Sequence, residues 1–188
     1  MIPYTTERRP DTRVTNVTLG LWLFLASEVM LFGALFSSYA LLRVSAPEWP
    51  SGRDLLDLPL GALNTAVLIA LTSIVWRARS QPPAPAAQRL WFSVALGLVF
   101  VGIKAFEYSS EVGRGLLPST NLFLALYFTL TGLHALHVVG GLVANIWAAS
   151  GVRRVPEAMT VGRVQALALY WVFVDAVWVI IFLLFYAN

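Results

Sequence analysis

The sequence contains no cysteine. Without thiols the chain can form no disulfide, thiolate metal site or iron–sulfur cluster, and it cannot hold haem through thioether bonds. Charged residues are also scarce, at 12% of 188 residues, against about 25% in soluble domains. Hydrophobic residues reach 58% and the mean hydropathy is +0.72. This composition indicates an integral membrane protein.

Motifs of enzyme active sites are missing as well. There is no Gly-x-Ser-x-Gly elbow, no phosphate-binding glycine loop and no zincin motif, so we expect no catalytic residue and no metal site in this chain. No segment is polar enough to form a second, soluble domain or to bind nucleic acid. No internal repeat is visible, which argues against a secondary transporter built from paired repeats.

Five apolar stretches are long enough to cross a membrane as helices. We therefore predict an all-α fold, a polytopic five-helix transmembrane bundle over residues 17–188, preceded by a cytoplasmic N-terminal tail, 1–16. The first stretch is too long for a signal-peptide core and lacks a clear cleavage site. The stretches between the spans are expected to be loops, and the proline-rich one, 77–89, to be extended. The predicted spans are 17–42, 60–76, 90–108, 122–149 and 164–186.

Basic residues divide unequally between the two sides of this bundle. Nine arginines fall on the side of the N-terminal tail and the second and fourth loops: Arg8, Arg9, Arg13, Arg77, Arg79, Arg89, Arg153, Arg154 and Arg163. The opposite side has Arg43, Arg53 and Arg114. Because inner loops collect Lys and Arg, we expect the N-terminus inside and the C-terminus outside. The excess of arginine over lysine and the lack of a transit peptide favour a bacterial inner (plasma) membrane, crossed several times.

Ionisable residues inside the spans need a reason to be there. An exposed charge near the bilayer centre costs at least about 2.5 kcal/mol on insertion scales. Glu28, His134 and Asp175 lie near the midpoints of the first, fourth and fifth spans, with His137 one turn from His134. We predict that these four form a buried polar cluster, which either fixes helix register or handles protons. The two histidines share one side of a helix, so they cannot be opposite axial ligands of one haem.

Other polar residues in the spans have local explanations. Lys104 and Glu107 are one turn apart on the third span and can pair within the helix. Asn64 and Thr65, just inside the second span, are expected to make hydrogen bonds between helices or to a loop.

An ordered set of motifs carries a family resemblance. The motifs are, in chain order, Gly20-x-x-x-Phe24-x-x-Ser27-Glu28, Leu63-Asn64-Thr65, Phe106-Glu107-Tyr108, Thr131-Gly132-Leu133-His134-Ala135-Leu136-His137-Val138 and Tyr170-Trp171-Val172-Phe173-Val174-Asp175-Ala176-Val177-Trp178. With this set the sequence resembles subunit III of the haem–copper respiratory oxidases (cytochrome c oxidase subunit III), in the short five-helix form found in bacteria.

This resemblance implies a non-catalytic accessory subunit of a proton-pumping oxidase that reduces oxygen to water in aerobic respiration. Haem and copper would lie in the partner subunit I and none in this chain. The subunit would stabilise subunit I, contact other oxidase subunits, hold structural phospholipids and support proton uptake. The motif residues that the resemblance singles out are Glu28, His134, His137, Glu107, Tyr108, Trp171 and Asp175.

The chain also departs from the family pattern. Val172 replaces a usual histidine, Lys104 a common glutamine, and Thr18 stands where a basic residue is frequent. Two alternatives stay open: the equivalent subunit of a quinol oxidase or nitric oxide reductase system, and a small proton-coupled carrier or channel that uses Glu28. The electron donor would be bound elsewhere in either oxidase.

Overall fold

The computed structural model describes residues 9–10, 14–152 and 154–187. These residues form six helices and no strand: α1 Asn16–Ser45, α2 Gly52–Leu55, α3 Leu58–Ala78, α4 Pro83–Gly113, α5 Leu122–Gly151 and α6 Glu157–Phe185. All except the single turn α2 are long and apolar enough to span a membrane. Most of the predicted tail 1–16 lies outside the described residues, as do Arg8, Arg13 and Arg153.

Three of the long helices begin at a side-chain cap. Thr15, Asp57 and Asn121 each accept a hydrogen bond from the backbone N–H three residues later, at the starts of α1, α3 and α5. Such caps satisfy amide groups that have no partner within the helix. A short polar residue just before the apolar run therefore specifies where each of these three helices starts.

Several helices extend into segments that we expected to be loops. α4 begins at Pro83, so residues 83–89 are helical and not extended. Proline is tolerated in the first helical turn because the N–H that it lacks would have no partner there. At its other end α4 continues to Gly113, and α6 starts at Glu157. The apolar length reports the width of the hydrocarbon layer, whereas the hydrogen-bonded helix continues past it.

The long helices run antiparallel in chain order. α3 packs against α4 and α6, and α5 packs against the same two helices. α1 packs mainly against α6 and buries only Leu25, Phe32 and Tyr39. Because α1 is apolar on all sides yet mostly exposed, its surface suits lipid or another protein chain more than water.

The last turn of α6 closes one end of the bundle. The Tyr39 hydroxyl donates to the Leu184 carbonyl at 2.8 Å, and the Arg53 guanidinium donates to the Ala187 carbonyl at 3.3 Å. A Cβ at Gly52 would collide with the carbonyl group of Phe185, so only glycine fits. α1, α2 and α6 are thereby held together at this end.

Candidate functional site

Glu28 and His137 form a polar pair between α1 and α5. The distance from Glu28 Oε2 to His137 Nε2 is 2.9 Å, and each side chain keeps only 13% of its surface exposed. The ring of Phe32 stands edge-on to the His137 ring, with centroids 5.2 Å apart. The Tyr170 hydroxyl donates to the His137 backbone carbonyl at 2.7 Å. α1, α5 and α6 therefore all contribute to the surroundings of this pair.

The hydrogen bonds of His137 allow its protons to be counted. Its Nδ1 lies 2.8 Å from the Leu133 carbonyl oxygen, which can only accept, so Nδ1 carries a hydrogen. One further proton then lies between Nε2 and Glu28. Either an imidazolium faces a carboxylate or a neutral imidazole accepts from a carboxylic acid. In both arrangements the pair is electrically neutral and holds one exchangeable proton.

His134 lies apart from this pair, which corrects the expected four-residue cluster. It is fully buried beside Phe100 and Trp178, with ring centroids 5.8 and 5.1 Å away. Neither ring nitrogen has a hydrogen-bond partner within the part of the chain that the structure describes. His134 therefore belongs to the aromatic core of α4, α5 and α6.

Depth along the helices explains why Glu28 meets His137. The N-terminal end of α1 and the C-terminal end of α5 lie at the same end of the bundle. Measured from there, Glu28 lies about 18 Å along α1, His137 about 21 Å along α5 and His134 about 26 Å along α5. For α1 and α5 the predicted span limits differ from the helix limits by up to three residues, which equals the separation of the two histidines. Counting residues could therefore give the approximate depth but not choose the partner.

Asp175 also lies apart, on the side of α6 that faces α3. With Thr72 and Ser73 of α3, it lines a groove that opens on the outside of the bundle. Its Oδ1 atom is buried and has no hydrogen-bond partner among the described residues. Val172 lines the same groove and is 43% exposed. A carboxyl group therefore stands at an outward-facing surface well inside the membrane-spanning part of α6.

A third polar site surrounds Lys104 near the closed end of the bundle. Lys104 is 3% exposed, and its ammonium group donates to Glu107 at 2.9 Å, to the Tyr127 hydroxyl at 2.9 Å and to the Tyr186 hydroxyl at 2.8 Å. All three of its N–H bonds are thus used. Tyr186 in turn donates to Glu107 at 2.6 Å. The expected pairing of Lys104 with Glu107 is present, within a network that also joins α5 and α6.

Glu111 completes this network, and no sequence motif indicated a role for it or for Tyr186. Its Oε1 accepts from the Tyr127 hydroxyl at 2.9 Å, while Oε2 is buried without a partner in the described residues. We placed Glu111 in a predicted loop, 109–121, although its spacing of one turn from Glu107 would have indicated the same helix face. The network thus contains one cation and two carboxyl groups. We name these residues the Lys104 network: Lys104, Glu107, Glu111, Tyr127 and Tyr186.

The remaining motif residues make hydrogen bonds between helices, with one exception. Thr65 accepts from the Trp178 indole at 3.0 Å and joins α3 to α6. Asn64 is fully buried, but neither of its amide atoms has a partner in the described part of the chain. Tyr108 and Thr131 join α4 to α5 through their hydroxyl groups, 2.5 Å apart. Three of the four residues therefore stabilise helix contacts.

Trp171 belongs to a chain of buried hydrogen bonds that the sequence did not reveal. Its indole N–H donates to Asn145 at 3.1 Å, and the Asn145 amide donates to Ser93 at 2.9 Å. These bonds connect α6, α5 and α4. Beside them Gly141 makes room for the Trp171 ring, since a Cβ would lie 2.7 Å from it. This arrangement fixes the register of the three helices.

These sites define the class of protein. It is a polytopic helical membrane protein with internal polar pairs. Within the described residues no three His, Asp or Glu side chains lie close enough to hold a metal ion. His134 and His137 have different surroundings, since His134 packs among aromatic rings and His137 pairs with Glu28. The arrangement can hold a proton between α1 and α5 and can stabilise helix contacts.

Comparison with known proteins gives the family. The family model for cytochrome c oxidase subunit III matches residues 9–188. A cytochrome bo(3) ubiquinol oxidase subunit 3 of Pseudomonas aeruginosa is 33% identical over 181 residues, covering 91% of this chain and 84% of that protein. A cytochrome c oxidase subunit 3 of Thermostichus vulcanus is 33% identical over 187 residues, covering 96% and 89%. The chain belongs to the cytochrome c oxidase subunit III family.

One relative joins two subunits in a single chain. The haem–copper oxidase subunit I+III of Aeropyrum pernix is 29% identical over 185 residues, covering 91% of this chain and 22% of that longer protein. In that organism a subunit III region is thus covalently linked to a subunit I region.

Proposed function

We propose that this chain is a non-catalytic accessory subunit of a haem–copper terminal oxidase. In this role it packs against the catalytic subunit I, stabilises it, holds phospholipids and supports proton uptake during oxygen reduction in a bacterial inner membrane. Family membership supports the oxidase, and the fused relative of Aeropyrum pernix supports subunit I as the partner. Haem and copper would belong to subunit I.

The outward-facing carboxyl group of Asp175 supports the proposal that a partner chain packs against this groove. Asp175 lies about 15 Å along α6 from its C-terminal end, well inside the span. The Thr72 hydroxyl interacts with this carboxyl group, but Oδ1 has no partner among the described residues. Facing hydrocarbon, a polar atom left unsatisfied at this depth would cost several kcal/mol. The groove also presents the Ser73 side chain and the exposed Val172. A transmembrane helix of subunit I with a hydrogen-bond donor would cover this polar groove and satisfy it.

An association assay tests this step. The tagged chain is expressed with its oxidase operon, and partner recovery is compared for wild type, Asp175→Asn and Asp175→Leu. Truncating a buried polar contact costs about 2–5 kcal/mol of binding, so Asp175→Leu should weaken association at least tenfold, whereas Asp175→Asn keeps hydrogen-bonding capacity and should weaken it less. Ile180→Ala, at an exposed position of the same helix, is the control. Equal recovery of the partner by all variants would contradict docking at this groove.

The Glu28–His137 pair supports a role in proton uptake. It holds one proton in a hydrogen bond between two titratable groups, and such a pair can exchange that proton without moving a net charge into the bundle. Both side chains retain a small exposed fraction, so the proton is not sealed in the core. We propose that the pair also fixes the position of α1, which has few other contacts with α5.

The electron donor is proposed to be chosen by other subunits. Relatives named for ubiquinol and for cytochrome c match this chain at the same 33% identity. The chain itself therefore carries no signal for either donor at this level of likeness.

The orientation remains our prediction, with the N-terminus inside. Among described residues, the end of the bundle with Arg77, Arg89 and Arg154 is the basic one, which supports an inner location. Because the chain has no cysteine, a single introduced cysteine can be labelled without first replacing others. In intact spheroplasts, Ser119→Cys should react with an impermeant maleimide, while Arg154→Cys should react only after permeabilisation. The reverse pattern would contradict the proposed orientation.

A further inference from the structure

An open groove runs between α3 and α4 at the basic end of the bundle. Its volume is about 620 Å³. Arg77, in the last turn of α3, and Arg89, about 9 Å along α4 from its start, lie on its two sides. The rest of the lining is Ile74, Gln88, Trp91, Phe92 and Ala95. We name it the Arg77/Arg89 groove.

Neither arginine side chain forms a hydrogen bond or ion pair within the described part of the chain, although Arg77 also borders the groove that contains Asp175. The segment from Arg77 to Arg89 contains three arginines and no acidic residue. The third, Arg79, stacks on the Trp76 ring at 3.6 Å and does not line the groove. The groove therefore combines two available positive charges with a local excess of positive charge.

Below the arginines the groove becomes apolar. Trp91 and Phe92 follow Arg89 on α4, toward the middle of the span, and they are 48% and 59% exposed. Ala95 lies one turn deeper, about 18 Å from the start of the helix. Charged groups at the membrane surface above an apolar cleft match the two parts of a phospholipid, the headgroup phosphate and the acyl chains.

We propose that the Arg77/Arg89 groove binds an anionic phospholipid. The phosphate is held by the two guanidinium groups, which can each donate two parallel hydrogen bonds to phosphate oxygens. The first part of an acyl chain lies against Trp91, Phe92 and Ala95. The inference deepens the proposed lipid-holding role, on which it rests, by naming a site and a lipid class. Charge complementarity favours phosphatidylglycerol or cardiolipin over a zwitterionic lipid.

Lipid counting on the purified full-length chain tests the proposal. The chain is reconstituted in nanodiscs with equal amounts of phosphatidylglycerol and phosphatidylcholine, released into detergent and weighed by native mass spectrometry. Wild type should retain phosphatidylglycerol in preference to phosphatidylcholine by at least about fivefold. Arg77→Gln/Arg89→Gln should reduce this preference to near one. Arg154→Gln is the matched control, since Arg154 is exposed at the same end and lines no described groove.

The outcomes separate the possible occupants. An unchanged preference in the double variant would overturn the proposal. Loss of the haem-bearing partner in the double variant, with lipid retention unchanged, would also overturn it and assign the groove to a protein helix. Thermal unfolding of the double variant, whose substitutions are at the surface, checks that it folds as wild type does. Because the lipid count needs no partner, a failure of oxidase association would refute the proposed function without changing this result.

Discussion

The ammonium group of Lys104 is the centre of a buried network, and its removal gives a quantitative prediction. Lys104→Met keeps a similar volume but deletes three hydrogen bonds of 2.8 to 2.9 Å. Glu107, 2% exposed, would retain only the bond from Tyr186, and Glu111 only the one from Tyr127. Removing one partner of a buried ion pair leaves an uncompensated charge and typically costs about 3–5 kcal/mol. We expect a loss of unfolding free energy in this range.

A double-mutant cycle separates the charge effect from simple loss of packing. In Lys104→Met/Glu107→Gln the unpaired carboxylate is gone, and the amide oxygen can still accept from Tyr186. The double variant should therefore be more stable than Lys104→Met alone by at least about 1 kcal/mol, with a coupling energy in the range seen for contacting residues. Ser109→Ala, at an exposed position on the same helix, is the control and should change stability by less than about 0.5 kcal/mol.

Unfolding of the purified chain in mixed micelles, titrated with dodecyl sulfate and followed by tryptophan fluorescence, gives these free energies. Trp178 packs close to Lys104, with the ammonium group 5.5 Å from its ring, so one of the seven tryptophans that contribute to the signal lies in this region. If Lys104→Met cost less than about 1 kcal/mol, or if the two substitutions were simply additive, the ion pair would contribute nothing measurable and our description of the network would be wrong.

Two further predictions concern α1 and the closed end of the bundle. Glu28→Gln keeps a hydrogen-bonding group beside His137 but loses the exchangeable acid. Because we propose that the pair supports proton uptake and also fixes α1, initial turnover per intact oxidase should fall and subunit retention should weaken. Weaker retention with initial turnover near wild type would show that the pair only fixes α1. Gly61→Ala places a Cβ 2.6 Å from the Tyr186 ring, so it should displace Tyr186 and lower the unfolding midpoint, whereas Gly102→Ala, with open space around it, should leave the midpoint unchanged.

The sequence predicts the helices well in number but poorly at their ends. Apolar length identifies segments that can cross a membrane, and this signal is strong because every polar backbone group in lipid must be satisfied within a helix. The ends depend on local chemistry that continues outside the apolar run. Pro83 is the clearest case: it reads as a helix breaker in a proline-rich segment, yet it starts α4, because proline is compatible with the first turn.

The polar sites, too, could be predicted from the sequence only in part. The cost of burial identifies Glu28, His134 and Asp175 as residues that need partners, with His137 one turn from His134, and counting residues gives their approximate depth. It does not give the direction in which each side chain points around its helix, which packing decides. The pairing of Glu28 with His137 and the placement of Asp175 on an outer groove therefore required the structure. Glu111 was missed because the apolar run ends before it, although its helix does not.

Isolation of the tagged chain in mild detergent tests the account's central claim most directly. We predict that it is recovered with a larger partner, that the complex shows a Soret absorption band, and that the chain separated from that complex shows none. Recovery of the chain alone, stable and free of any haem-bearing partner and able to carry protons into lipid vesicles, would contradict the proposed function.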